Sequence, residues 1–175
     1  MEMTQTADLL NLAGVDMEDE DTLKGKYLIF TMGEELYGME IRYVTEIIGI
    51  QPITVIPEMP EYVKGVTNLR GKIIPVMDAR LRFKKAMREY DDRTCIIVLD
   101  TNDISIGLIV DSVVEVLAMQ DEDIAPPPEI NRNGRKYIKG IGKTGGSVKL
   151  LLDCQRLLTD DEAEELSSAQ ESSAK

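Results

Sequence analysis

Apolar and polar positions along this chain fall into short runs, most of them too brief for a helix, separated by turns rich in glycine, asparagine and acidic residues. Residues 26–31 form an apolar, β-favouring run. The turn Met32-Gly33-Glu34-Glu35 follows, then a second run over 36–41, which together predict a hairpin. Over 41–48 the signal is divided. Ile41, Val44, Ile47 and Ile48 fit one helical face, while the β-branched content favours a strand. A short helical turn passing into a strand that runs towards Val55 is expected. Pro57 and Pro60 end that strand, and residues 58–63 are expected to form a brief helical turn. Residues 65–69 and 72–77 flank Arg70-Gly71 as another hairpin, and 80–85 lead out as a linker.

The pattern then repeats. Residues 94–100 form a run, Asn102-Asp103 a turn, and 104–119 a long apolar continuation. Tyr62-Val63-Lys64-Gly65-Val66 returns as Tyr137-Ile138-Lys139-Gly140-Ile141, and Ile74-Pro75-Val76-Met77-Asp78 as Lys149-Leu150-Leu151-Leu152-Asp153, both displaced by 75 positions. The segment from Leu28 through Gly38 to Glu46 matches Ile97 through Gly107 to Glu115 at a displacement of 69. The six extra residues fall around Ala125-Pro126-Pro127-Pro128 and Asn131-Arg132-Asn133-Gly134, a surface loop with polyproline character. One body of two related all-β halves is the simplest interpretation, about 26–85 and 94–158, each of about five strands. Short strands with frequent turns favour small barrels, because closure removes exposed edges. Beyond them, 160–168 is expected to be a short helix with Thr159 as N-cap and Glu162 in capping-box spacing. The halves differ at one turn: Asn68-Leu69-Arg70-Gly71 becomes Lys143-Thr144-Gly145-Gly146, so the first turn is expected to have a task the second lacks.

Charge sharpens the division of the chain. The net charge is -12, yet the first 24 residues hold seven acidic side chains against Lys24, and residues 159–175 hold six against Lys175. Residues 25–158 are left with 18 basic and 19 acidic side chains, so the body is nearly neutral and the tails are acidic. Such tails, the first over 1–25, are expected to be disordered and solubilising. A neutral body lacks the basic footprint of a nucleic-acid binder. No apolar run is long enough to span a bilayer, and the N-terminus has no secretory signal, so a cytoplasmic protein is expected. Cys95 and Cys154 are expected to be buried thiols in a reducing compartment.

Candidate chemistry is sparse. Without histidine, the commonest general base and metal ligand is missing. The two cysteines have no CxxC partner for zinc, and no phosphate-loop, dinucleotide or nucleophile-elbow motif occurs. Gly142-Lys143-Thr144 ends like a phosphate loop, but its required upstream glycine is Tyr137. The Asp91-Asp92 pair reads as solvated turn residues. Neither catalysis nor a cofactor is expected.

Several segments closely resemble the CheW-like coupling proteins of bacterial chemotaxis: Tyr27-Leu28-Ile29-Phe30-Thr31-Met32-Gly33, Tyr37-Gly38-Met39-Glu40-Ile41, Val44-Thr45-Glu46-Ile47, Arg80-Leu81-Arg82-Phe83, Val110-Asp111-Ser112-Val113 and Pro126-Pro127-Pro128-Glu129. The most specific is the string from Gly65-Val66-Thr67-Asn68-Leu69-Arg70-Gly71 to Asp78. The resemblance covers roughly 26–158. It implies two packed, five-stranded SH3-like barrels and a non-enzymatic adaptor. The family's partners are the CheW-like regulatory domain of the histidine kinase CheA and the helical cytoplasmic tips of methyl-accepting chemoreceptors, in membrane-associated arrays. Two positions depart from its pattern: Ile48, where many relatives carry arginine, and Ala79.

Mapped by motif, Val44, Glu46, Val66 and Arg70 are the candidate receptor-binding residues, with Glu46 and Arg70 expected to form a pair at the edge of a groove. An apolar strip of Ile41, Val44 and Val66 could accept one face of a helix. The plainer alternatives are a surface salt bridge and ordinary core valines. Ile53 and Val55 are the candidate kinase contacts, in a run too apolar for open surface, for which burial is the plainer alternative. Asp78 and Asp153 recur as a pair and are expected to stabilise turns. Two other possibilities remain: a CheW-like module of a larger signalling protein such as a phospho-accepting coupler, and a ligand-binding or enzymatic barrel using the cleft between halves.

Overall fold

A computed structural model describes residues 23–101, 104–127 and 137–157. The expected C-terminal helix, the Asn102-Asp103 turn and the loop at 131–134 lie outside the described residues. The chain is mostly β, in the order β1 (Lys26–Met32), β2 (Glu35–Glu40), a 3₁₀ turn (Ile41–Tyr43), β3 (Val44–Gly49), β4 (Val63–Leu69), β5 (Lys72–Asp78), α1 (Ala79–Arg82), β6 (Cys95–Asp100), β7 (Ser105–Val110), β8 (Ser112–Ala118), β9 (Ile124–Ala125), β10 (Ile138–Thr144) and β11 (Ser147–Leu152). The divided signal over 41–48 resolves as a 3₁₀ turn followed by a strand, which stops at Gly49 rather than near Val55. In place of a helical turn over 58–63 there are turns at 57–58 and 61–62, with Val63 already in β4, and Glu58 takes a left-handed φ of 65°. The linker opens with the single-turn α1, because the Asp78 side chain accepts from the Arg80 and Leu81 amides. Asp153 accepts from the Gln155 amide in the equivalent place, so both aspartates stabilise turns as expected. Cys154 is buried, but Cys95 is only partly so.

The strands form a five-stranded sheet, β3-β6-β7-β5-β4, and a six-stranded one, β8-β1-β2-β11-β10-β9. The division at 85–94 expected from the sequence is not the division between these sheets. Each sheet takes its opening hairpin from the other half: β6 and β7 join β3, β4 and β5, while β1 and β2 join β8, β10 and β11. The duplication holds for five strands of each sheet; the sixth, β9, exceeds the five expected and is matched in the first sheet only by an isolated bridge at Thr54. The parallel pairs Val76↔Gly107 and Leu151↔Gly38 occupy matching registers in the two sheets.

Connection length accounts for the exchange. To lie beside β6 in its own half, β8 would have to cross two interstrand spacings, roughly 9–10 Å. Only Asp111 lies between β7 and β8, and one residue reaches about 7 Å at most. The chain steps into the neighbouring barrel instead, and the 3₁₀ turn at Ile41–Tyr43 makes the reciprocal crossing. Each barrel is then closed by the stretch after its crossing strand. Thr54 bridges to Val66 of β4, as β9 pairs with β10. Gly65 permits that close approach: a Cβ there would lie 2.0 Å from the Thr54 carbonyl oxygen, and its φ is 142°.

Alternation along the exchanged hairpins builds three cores. Ile96, Val98, Ile109, Ile48, Ile74 and Val76 fill the first barrel, and Tyr27, Ile29, Met119 and Leu151 fill the second. The opposite faces, Leu28 and Phe30 on one hairpin and Ile97, Leu99, Ile106 and Leu108 on the other, meet in the largest core, which joins the barrels.

Candidate binding face on the first barrel

The β4–β5 turn brings Arg70 against β3. Arg70 Nη1 donates to Glu46 Oε2 at 2.7 Å, and Nη2 donates to Oε1 at 3.0 Å, a bidentate pair. The Arg70 side chain is 57% exposed and that of Glu46 17%, so the pair lies on the surface with the carboxylate set deeper. The turn is left-handed at both central residues, with φ of 54° at Arg70 and 87° at Gly71. The Gly71 amide donates to Asn68 Oδ1 at 2.8 Å, which locks the turn below the guanidinium.

The two valines do not belong to the surface. Val44 is 1% exposed and lies in the core between the barrels, and Val66 is 6% exposed. Ile41 is buried as well. That corrects the expectation of a receptive apolar strip made by these three side chains. Unbroken alternation would put Val44 and Glu46 on one face; the β-bulge between them breaks it, so Val44 is buried while Glu46 reaches the surface. Val66 contributes through its backbone: its amide and carbonyl exchange 2.9 and 2.8 Å bonds with Thr54. Thr67 Oγ1 adds a 2.9 Å bond to the Pro52 carbonyl. These bonds hold residues 52–54 along β4. Ile53 is half-buried against the first-barrel core, while Val55 stands 77% exposed. Ile50, also an exposed large apolar side chain, was not distinguishable in sequence from the buried Ile47 and Ile48 beside it.

The second barrel offers a control. Gly145 and Gly146 adopt φ of 60° and 77°, the same turn as Arg70-Gly71. Glu115 pairs with Ile29 across its bulge as Glu46 pairs with Val98. Where Arg70 stands there is a glycine, and the turn is secured from below by buried Lys149, whose Nζ donates to Thr144 O at 2.6 Å and Ser147 Oγ at 2.7 Å.

Outside this face, a charge cluster among the described residues centres on Asp111 at the β7–β8 crossing. Arg80 holds it bidentately at 2.8 and 2.6 Å, Arg88 adds a 3.2 Å bond, and the Gly33 amide donates at 2.7 Å. Burial alone would raise the Asp111 carboxyl. The Arg80 and Gly33 hydrogen bonds and the two positive charges outweigh burial and hold it below its ordinary range. Burial likewise pushes the Cys154 thiol up to about 12, with help from the Glu40 and Asp153 charges, which leaves it an unreactive thiol. No group of three or more potential metal ligands occurs among the described residues. Nor is any helix among them long and apolar enough to cross a membrane.

Residues 26–162 match the CheW-like domain family. The chain is 38% identical to a chemotaxis protein CheW of Klebsiella aerogenes, over 88% of this chain and 93% of that one. It is 35% identical to a chemotaxis protein CheW of Treponema pallidum, over 79% and 85%. Among solved structures, the scaffolding protein TtCheW from Thermoanaerobacter tengcongensis superposes with a TM-score of 0.74 at 36% identity, over 79% of this chain and 94% of that one. Two barrels with reciprocally exchanged hairpins, the specific string at 65–78 and these relatives together place the chain in the CheW-like domain family of chemotaxis scaffold proteins.

Proposed function

We propose that this chain is a non-enzymatic, cytoplasmic adaptor that links the CheA histidine kinase to the cytoplasmic tips of chemoreceptors, with Glu46 and Arg70 contacting the receptor and Ile53 and Val55 contacting the kinase. One observation carries most weight. Arg70 occupies a left-handed conformation that costs a non-glycine residue about 1–2 kcal/mol, while the sister turn uses glycine at the same φ. An exposed ion pair is worth only ~0–1 kcal/mol, so folding stability alone is a poor reason to keep arginine there. A docking role supplies one, since a rigid bidentate guanidinium beside a partner helix gives direction as well as charge. The exposed Val55, on the same short stretch as half-buried Ile53 and exposed Ile50, provides apolar surface that a second protein partner would cover.

Calorimetric titration of the full chain with a kinase regulatory fragment and, separately, with a receptor-tip peptide tests both contacts. Arg70→Ala should weaken the receptor titration by about 10-fold or more, a typical central-arginine effect, and leave the kinase titration unchanged. Val55→Asp should do the reverse. Failure of the native chain to bind either partner would end the proposal.

A further inference from the structure

We propose that Arg82 is a latch that fixes the orientation of one barrel on the other. The 75-residue displacement that relates Tyr62 to Tyr137 also relates Arg82 to Leu157. In the structure these four residues meet. The Arg82 guanidinium carbon lies 4.5 Å from the ring centroid of Tyr62, which leads into β4 of the first barrel. It lies 4.6 Å from that of Tyr137, which leads into β10 of the second. Its Nε donates to the Leu157 carbonyl at 2.8 Å. An arginine and its own duplicate position thus meet between duplicate tyrosines, which puts the guanidinium where equivalent positions of the two barrels converge. Phe83 extends the contact, 5.5 Å from Tyr137 and stacked at 5.9 Å on Tyr37 of β2.

Arg82 is buried, and withdrawing a guanidinium from water is unfavourable enough that an apolar side chain of similar volume often serves stability as well or better. What an apolar side chain cannot supply is direction. The core between the barrels is made of two hairpin faces, and apolar burial is indifferent to modest sliding of one face over another. The Arg82 contacts are not indifferent. A planar cation between two rings, with one N–H on a carbonyl, is satisfied in a single register. The tyrosines are themselves anchored in matching ways: the Tyr62 and Tyr137 carbonyls accept from the Asp78 and Asp153 amides, each at 2.7 Å. Any slip of the barrels is therefore transmitted to the guanidinium.

Distance measurement by double electron–electron resonance on the full chain tests the latch without any partner. Spin labels at Val55→Cys and Val148→Cys, both exposed and in different barrels, are placed in a Cys95→Ser background, with Cys154 buried and unreactive. The parent should give one narrow distance distribution. Arg82→Met should broaden or split it while the melting temperature stays close to the parent's. Arg82→Lys, which keeps a cation between the rings but loses the Nε bond, should fall between. An Arg82→Met distribution as narrow as the parent's would overturn the latch; if that variant does not fold, an unchanged width for Arg82→Lys would overturn it.

Discussion

Arg70 combines a left-handed backbone, an exposed guanidinium and a bidentate partner, and each property has a separable consequence. Arg70→Gly relieves about 1–2 kcal/mol of backbone strain. It gives back roughly 0.5–1 kcal/mol through a more flexible unfolded chain, and ~0–1 kcal/mol through the lost pair. Chemical denaturation should therefore find the variant within about 1 kcal/mol of the parent, although receptor-tip binding is lost. A drop of several kcal/mol would make the residue architectural. Asp111 shows the opposite character: it is held by four donors and is structural. Its folded carboxyl titrates below the ordinary 3.8, so the stability it contributes is fully present above that value and is lost as pH falls through the folded pKa. The stability gap between the parent and Asp111→Asn should be constant at neutral pH and narrow below about pH 4, as followed by denaturation at a series of pH values. A gap independent of pH would contradict the assignment.

Elements were legible to unequal degrees, for physical reasons. The hairpins showed in sequence because alternation and turn chemistry are local, and the Asp78 and Asp153 turns showed because the duplication printed them twice. The inward rotation of Val44 and Val66 did not, since a valine on a strand reads alike whichever face is covered. Glu46 and Arg70 were legible as a pair through the family motif, and the turn stood out because the second half lacks the arginine. The exchange of hairpins was hidden for another reason: pairing between distant strands leaves no mark in either strand, and only the single-residue step at Asp111 hints at it. The element most exposed to a small change is the closing bridge of the first barrel. Gly65→Ala would drive a methyl into the Thr54 carbonyl at a φ unfavourable to alanine. It should cost about 2–4 kcal/mol by denaturation and loosen residues 52–55, weakening kinase binding as well. Native-like stability in that variant would show that the bridge is dispensable.

At the scale of the molecule, the exchanged hairpins make the two barrels one cooperative body: each is completed by strands from the other half, and their largest core lies between them. Both proposed contact regions lie on the first barrel, on β3, the β4–β5 turn and the stretch bridged to β4, so a rigid body of that kind holds two partners at a fixed separation without any moving part. Reconstitution addresses this most directly: receptor-bearing vesicles, CheA and the purified chain, with kinase sedimentation and autophosphorylation measured together. The native chain should carry CheA onto the vesicles and place its autophosphorylation under receptor control, while Arg70→Ala should do neither. Kinase that sediments and responds to receptor equally well without the chain would contradict the account.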